Sequence, residues 1–550
     1  MKISEALWAF AGMDVVYDRY TPHSVYGKKN KEAREFFTSV LDVNAEYDRV
    51  ESALNFLATH PDKVVGVLDA LSRLPQISQL PQQFVRSPDV FIVKKFLVNF
   101  ARICKALPHT TATDFGVDFR SSELLAFLET SNAQDGDESF YLTEKFSVQL
   151  AEVRKEIRSL DASEKSLRTL FIEKIQRETG IDFRFRDFVV LSLDKARALS
   201  SVLFVLEPFD SHHFVVRLAL PPELMDFAVQ REALLVREAR AEEKVYACLC
   251  EKIAVEFPLL QDYCAAAARL DTALAKARLS QEFGKVRPQF GESAFLSVVE
   301  GRFLPLSIRC AAEDLRYWPL TLDIQKRANV VFGSNMGGKT VVLQSLALFQ
   351  LLAQMGFFVP ADSFVSMFFE NIFYVGAPSA GITVSQQEGL SGFGQEIGEF
   401  QLSWENANAA SKNSGLASLI LVDEFARTTN SVEASALLGA VLEEFSQSEV
   451  AVGVVSTHFM EIKIENGACG FFRMKGLNHH GFAQFCSQRT GDGESLVERI
   501  HRVNRFMQYE VLVEKGLAPV RDALAIAEVL GLSPAIIEKA KRHMGEKYGR

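Results

Sequence analysis

The stretch Gly333-Ser-Asn-Met-Gly-Gly-Lys-Thr340 lies between an apolar run, Asn329 to Phe332, and a long helical pattern that begins at Val341. A strand that enters a glycine-rich turn and opens a helix aims successive backbone N–H groups, and the positive end of the helix dipole, at one place. Polyphosphate oxygens are stabilised there. The spacing G-x-x-x-x-G-K-[ST] assigns Gly333, Ser334, Asn335, Met336, Gly337 and Gly338 to the cradle. Lys339 would neutralise the β and γ phosphates, and the Thr340 hydroxyl would ligate Mg²⁺.

Partner residues occur where such a site needs them. Ser418 to Val422 is a buried-strand pattern ending in Asp423-Glu424, two carboxylates at the C-terminal edge of a parallel sheet. Asp423 would hold the metal shell and Glu424 would polarise an attacking water. A second apolar strand, Val450 to Val455, ends in Ser456-Thr457-His458, which places His458 to sense the γ-phosphate.

At 550 residues and 48% hydrophobic content the chain can build several domains with sizeable cores. Its seven cysteines (104, 248, 250, 264, 310, 469 and 486) contain no C-x-x-C pair, so neither a disulfide framework nor a zinc ribbon is readable, and a reducing cytoplasm is expected. The N-terminus does not read as a secretory signal, and no run of 18 apolar residues offers a membrane span. A net charge of −10 is not that of a protein coated in basic surface, although the local patch matters more than the total.

Residues 1 to about 130 read as helical, with amphipathic segments at Glu51–Leu57, Lys63–Leu74 and Val93–Leu107. After the acidic loop Ser131–Ser139, spacings of three and four among Leu150, Val153, Ile157, Leu160, Leu167 and Phe171 predict a long helix over Leu142–Thr179. Short β-rich runs follow at Phe188–Leu193, Ser201–Leu206 and His213–Leu218. Glu223 to Phe257 contains neither Gly nor Pro and predicts a second helix of about 50 Å. Two long helices bracketing a small β insertion make a lever with a tip. From Phe290 the pattern becomes α/β to about residue 490, and Ala523–Leu530 with Pro534–Met544 reads as a helix-turn-helix.

Placed on this lever, the motifs resemble those of the MutS family of DNA mismatch-repair ATPases. Gly333–Thr340 is similar to that family's Walker A, Leu419–Glu424 to its Walker B, and Val454–Glu461 to the strand that ends in Thr-His. Gly389–Glu396 resembles the signature segment, and Leu524–Gly531 with Ile536–Met544 resembles the C-terminal dimerising helices. Stretches of the helical half, Val67–Pro75 and Arg177–Gly180, resemble the family's core and lever. The resemblance implies ATP and Mg²⁺ as cofactors and a homodimer with shared ATPase sites. It also implies that Ser391 reaches the γ-phosphate bound by the other subunit; on its own, Ser391 is a glycine-rich loop serine without a role.

The fold class implied is an α/β P-loop (ABC-type) ATPase domain joined to a mainly α-helical core and lever with a small β-rich clamp. The expected domains are a helical core at 1–130, a lever at 131–300 with the clamp insertion at 183–220, the ATPase domain at 301–505 and dimerising helices at 506–550. Several features depart from the pattern. The chain begins almost directly in the core, so the mismatch reader is expected to be missing. Ala426-Arg-Thr-Thr-Asn-Ser431 preserves only Arg427 and Thr429 of the family's stretch after Walker B, and Leu390 and Gly392 replace Arg and Thr in the signature. Lys339-Thr340-Val341 is closer to the branch with a C-terminal Smr nuclease domain, which is not seen after Met544.

The clamp sets Arg184, Arg186, Lys195, Arg197 and Arg217 against Asp187, Asp194, Glu207 and Asp210, too even a balance to neutralise many phosphates. Two functions stay open. One is a clamp moved by ATP on DNA, in repair or recombination, with weak and non-specific binding. The other is the ATPase subunit of a reactivase for a cobalamin-dependent aminomutase, acting on a protein client.

Overall fold

Three stretches of the chain, Ala328–Phe332, Ser418–Asp423 and Ala451–Thr457, are buried along almost their whole length, because each is a strand of a parallel sheet covered on both faces. The structure is a computed structural model. It describes residues 3–77, 87–129, 138–199, 202–219, 221–291, 295–334, 337–376, 392–426, 429–459, 462, 467–478, 503, 505–517 and 522–548. The chain divides into two compact units, one formed by residues 1–23, 27–65 and 268–550, the other by residues 24–26 and 66–267.

The first unit is built on a six-stranded sheet in the order Met507–Glu514, Cys469–Leu477, Ala328–Phe332, Ala451–Thr457, Ser418–Asp423, Ile372–Val375. All neighbours are parallel except the antiparallel edge strand Met507–Glu514. Alternate residues of these strands face opposite sides. Val331, Leu419, Leu421, Val452 and Val454 share one core with the helix Lys339–Gln354 and with a four-stranded sheet of Gln289–Phe290, Ser363–Ser366, Leu296–Gly301 and Leu320–Ile324. Val330, Phe332, Ile420, Val422 and Val455 share another with the helices Gly392–Ser414 and Ser431–Gln447. The helix Lys339–Gln354 is buried nearly all round, which its VVLQSLALFQLLA sequence permits.

The N-terminal helices Glu5–Phe10 and Met13–Arg19 belong to the first of these cores through Leu7, Trp8, Phe10 and Val16. Phe10 stacks on Tyr374 of the edge strand with ring centroids 3.7 Å apart. The C-terminal helices Ala523–Val529 and Pro534–Tyr548 form as the sequence predicts.

In the second unit, the predicted long helix runs over Val148–Thr179; it starts later than expected because Ser147 caps it and a 3-10 turn, Glu144–Phe146, precedes it. Of its apolar seam only Leu150, Val153 and Ile175 are fully buried. Charge supplements that thin seam: Arg154 binds Glu238 at 2.7 Å and Glu242 at 2.6 Å, Arg237 binds Glu156 at 2.7 Å, and Arg231 binds Asp161 at 3.0 Å. The β-rich runs form an antiparallel sheet in the order Val189–Ser192, His213–Leu218, Phe204–Pro208, closed over Ile175, Phe183 and Ala196.

The second long helix does not stop at Phe257. It spans Pro222–Phe283 with Pro258 inside it, its residues to Ala267 lying in the second unit and the rest in the first. A proline interior to a helix costs about 3 kcal/mol. Burial of Leu260, Tyr263, Ala266, Ala267, Leu270 and Leu274 directly beyond it is large enough to offset that cost. Among the described residues, no helix is long and apolar enough to cross a membrane.

Candidate active site

The glycine turn joins the strand Ala328–Phe332 to the helix Lys339–Gln354 at the C-terminal edge of the parallel sheet. Gly333 and Gly338 have positive φ, +152° and +90°, values that residues with a side chain rarely adopt. A Cβ at Gly333 would stand 2.9 Å from Met474 Cβ, and one at Gly338 would stand 3.1 Å from Tyr509 Cδ1. The strands Cys469–Leu477 and Met507–Glu514 therefore press the turn from below, and glycine is what fits.

Lys339 is buried, and its Nζ donates to the carbonyls of Gly333 at 3.1 Å and Ser334 at 3.0 Å while lying 3.7 Å from Glu424 Oε1. Burial holds its pKa below the ordinary lysine value, with the neighbouring carboxylates opposing. Thr340 Oγ1 donates to both oxygens of Asp423, at 3.2 and 3.0 Å. Burial raises the Asp423 pKa, and hydrogen bonds from Ser456 and Thr340 counter it. Ser334 Oγ is buried and makes no hydrogen bond among the described residues.

Asp423 ends its strand, and Glu424 and Ala426 follow with φ of +54° and +59°. Across the sheet Asp423 is in register with Ser456, whose hydroxyl donates to Asp423 Oδ1 at 2.5 Å. The Glu424 N–H donates to Ser456 Oγ at 3.0 Å and to the Ser456 carbonyl at 3.2 Å. The Ala426 N–H donates to Glu396 Oε1 at 3.0 Å, and that glutamate sits on the helix Gly392–Ser414.

Beside the turn opens a cavity of about 1030 Å³ lined by Gly338, Lys339, Thr340 and Glu424 and also by Arg309, Arg316, Tyr317, Trp318, Arg505 and Tyr509. The Arg316 guanidinium lies 3.8 Å from the centre of the Trp318 ring. The structure thus brings Gly338, Lys339, Thr340, Asp423 and Glu424 together. His458 follows the strand Ala451–Thr457, is exposed, sits against the ring of Phe459 and is not among the cavity's lining residues. Asn335, Met336, Ser391 and Arg427 lie outside the described residues.

Sequence reasoning gave no role to Ser456, Met474 and Tyr509, and it singled out Glu396 only as the end of the signature segment. Ser456 carried one usable signal, a hydroxyl at the end of an apolar strand, whereas Met474 and Tyr509 depend on strand order.

The residues fit a polyphosphate with a divalent cation. The turn is a cradle that a Cβ would fill, Ser334 leaves an unbonded buried hydroxyl in it, and Thr340 with Asp423 forms an all-oxygen donor pair of the kind Mg²⁺ prefers. Fold and turn together define the phosphate-loop class of α/β domain, with its crevice at the carboxyl ends of parallel strands.

Residues 329–546 match the family model of MutS domain V. Over this stretch the chain is similar to the MutS family. It is similar to a protein named Endonuclease MutS2 of Thermomicrobium roseum, 29% identical over 334 residues, which cover 59% of this chain and 38% of that one. A protein of the same name from Lachnoclostridium phytofermentans is 29% identical over 315 residues, 57% of this chain and 35% of the relative. A DNA mismatch repair protein MutS of Leuconostoc mesenteroides is 30% identical over 242 residues, 44% of this chain and 27% of the relative. The matched region is thus well under half the length of each of these relatives.

Proposed function

We propose that this chain is a Mg²⁺-dependent ATPase that works as a homodimer in the cytoplasm and couples ATP turnover to motion of a clamp on DNA. The observation that carries the reading is the junction of Lys339, Thr340, Asp423 and Glu424 at the carboxyl ends of the two strands that flank Ala451–Thr457 in one sheet. Lys339 and the N–H groups of the turn would hold the β and γ phosphates, and the cavity, lined also by Tyr317, Trp318 and Tyr509, would take the nucleoside. Thr340 and Asp423 would hold Mg²⁺, which when bound screens the charge on the transferring phosphoryl group. Glu424, 3.7 Å from Lys339, would orient and polarise the attacking water, and His458 would sense the γ-phosphate. Ser391 would complete the site of the partner subunit.

In this reading residues 1–130 are the core, 131–300 the lever with its clamp at 183–220, 301–505 the ATPase domain and 506–550 the dimerising helices. The names of the relatives, which speak of mismatch repair and of an endonuclease, favour DNA as the client. None of them favours the reactivase alternative.

The test is ATP turnover and nucleotide binding. Lys339→Ala should lose most nucleotide affinity. Glu424→Gln should still bind ATP while its turnover falls by roughly 10²-fold or more, because shape is kept and the water-polarising carboxylate is lost. A Gln variant that hydrolyses ATP like the parent would remove Glu424 from its role.

A further inference from the structure

We propose that Ser456 is a positioning residue for this site, setting Asp423 and Glu424 at once through a single hydroxyl. The inference rests on the nucleotide reading above. Ser456 is fully buried at the end of a strand whose preceding residues, Ala451 to Val455, are all apolar or glycine. A hydroxyl in such a place is costly unless both its donor and its acceptor capacity are used. Both go to the pair of carboxylate residues: the Glu424 N–H donates to Oγ at 3.0 Å, and Oγ donates to Asp423 Oδ1 at 2.5 Å. The two bonds run in one direction and polarise each other.

Thr340 also holds Asp423, at 3.0 Å, but the Thr340 hydroxyl has a second assignment, to Mg²⁺. Ser456 is therefore the hold on Asp423 that does not compete with the cation. Its second effect is on Glu424, a non-glycine residue at φ +54°. Such a conformation persists only where its surroundings over-determine it, and here the Glu424 N–H is shared between Ser456 Oγ and the Ser456 carbonyl. Glu396 fixes the other end of the same turn through the Ala426 N–H, so loss of the Ser456 hydroxyl alone leaves the fold intact while loosening the aim of Glu424.

Ser456→Ala removes one oxygen and is compared with Ser456→Thr, which retains the hydroxyl. In the alanine variant kcat should fall about tenfold or more with KM within about twofold of the parent. The Mg²⁺ concentration for half-maximal activity should rise roughly tenfold, as for loss of an outer-shell partner, whereas binding of a fluorescent ATP analogue without Mg²⁺ should not change. Ser456→Thr should restore kcat to within about threefold.

Hydrogen exchange at the Glu424 amide reads the turn without nucleotide and should quicken about tenfold in the alanine variant. Unchanged kcat and Mg²⁺ dependence in Ser456→Ala, or unchanged exchange at Glu424, overturns the positioning role. A parent that neither binds nor hydrolyses ATP overturns the nucleotide reading instead, and the exchange measurement still decides whether Ser456 holds the turn.

Discussion

Lys276 lies 2.7 Å from Glu46 in an ion pair that is buried on both sides. Its Nζ also donates to the Met355 carbonyl, just beyond the helix that the phosphate turn opens, at 3.0 Å. Breaking such a pair leaves an uncompensated buried charge. Glu46→Ala should therefore destabilise the protein by about 3–5 kcal/mol, while replacing both residues with apolar ones of similar volume should cost far less. Denaturant titration of the single and double variants measures the difference.

Shared sites make a prediction about mixtures. Lys339→Ala and Ser391→Ala chains should each be inactive alone. When mixed, heterodimers carry one site with both residues intact, so activity should partly return. Heterodimers that form without any recovery would place Ser391 in its own subunit's site or in none.

The glycine turn, the two long helices and the small antiparallel sheet between them are legible before any coordinates. Ala328–Phe332, Ser418–Asp423 and Ala451–Thr457 are continuous apolar runs because both faces of their sheet are covered. What escapes depends on contacts distant in sequence. Pro258 reads as a stop from local propensity, yet the packing beyond it carries the helix on to Phe283. Trp8 and Phe10 fall in a stretch that reads only as helical, and nothing in their spacing says that they pack in the core of the six-stranded sheet. Ser456 and Glu396 acquire their roles from register and strand order, which periodicity does not encode.

Lys285 supplies a pH dependence. Its ammonium is buried with no hydrogen-bond partner among the described residues, and burial pulls its pKa down to about 7. Between that value and the ordinary lysine value the unfolded chain binds the proton and the folded one does not, so stability rises with pH across this window. The slope from this group is about 1.4 kcal/mol per pH unit at most. Lys285→Met should flatten the rise and stabilise the protein below pH 7, as thermal melts across the range would reveal. An unchanged slope would show that the ammonium reaches solvent.

At the proposed clamp, Arg184 is bound to Asp182 at 2.7 Å and Arg217 lies 3.5 Å from Glu207, so part of an already balanced charge is neutralised locally. DNA binding should accordingly be weak, non-specific and easily salted out. Arg184→Ala with Arg186→Ala should weaken every duplex alike and reduce the salt slope by about two. Electrophoretic titrations with duplex and branched DNA over a salt series test this. A sub-micromolar, mismatch-selective complex at physiological salt would contradict it.

Because the unit that holds the six-stranded sheet is assembled from residues 1–65, apart from 24–26, and 268–550, a ribosome finishes its first piece long before its last. At synthesis rates of about 5–20 residues per second, Trp8, Phe10 and their neighbours must wait on the order of tens of seconds for the strands that bury them. Residues 66–267 can meanwhile fold on the nascent chain. A gene fragment starting at residue 268 would encode the six-stranded sheet with part of its core left behind.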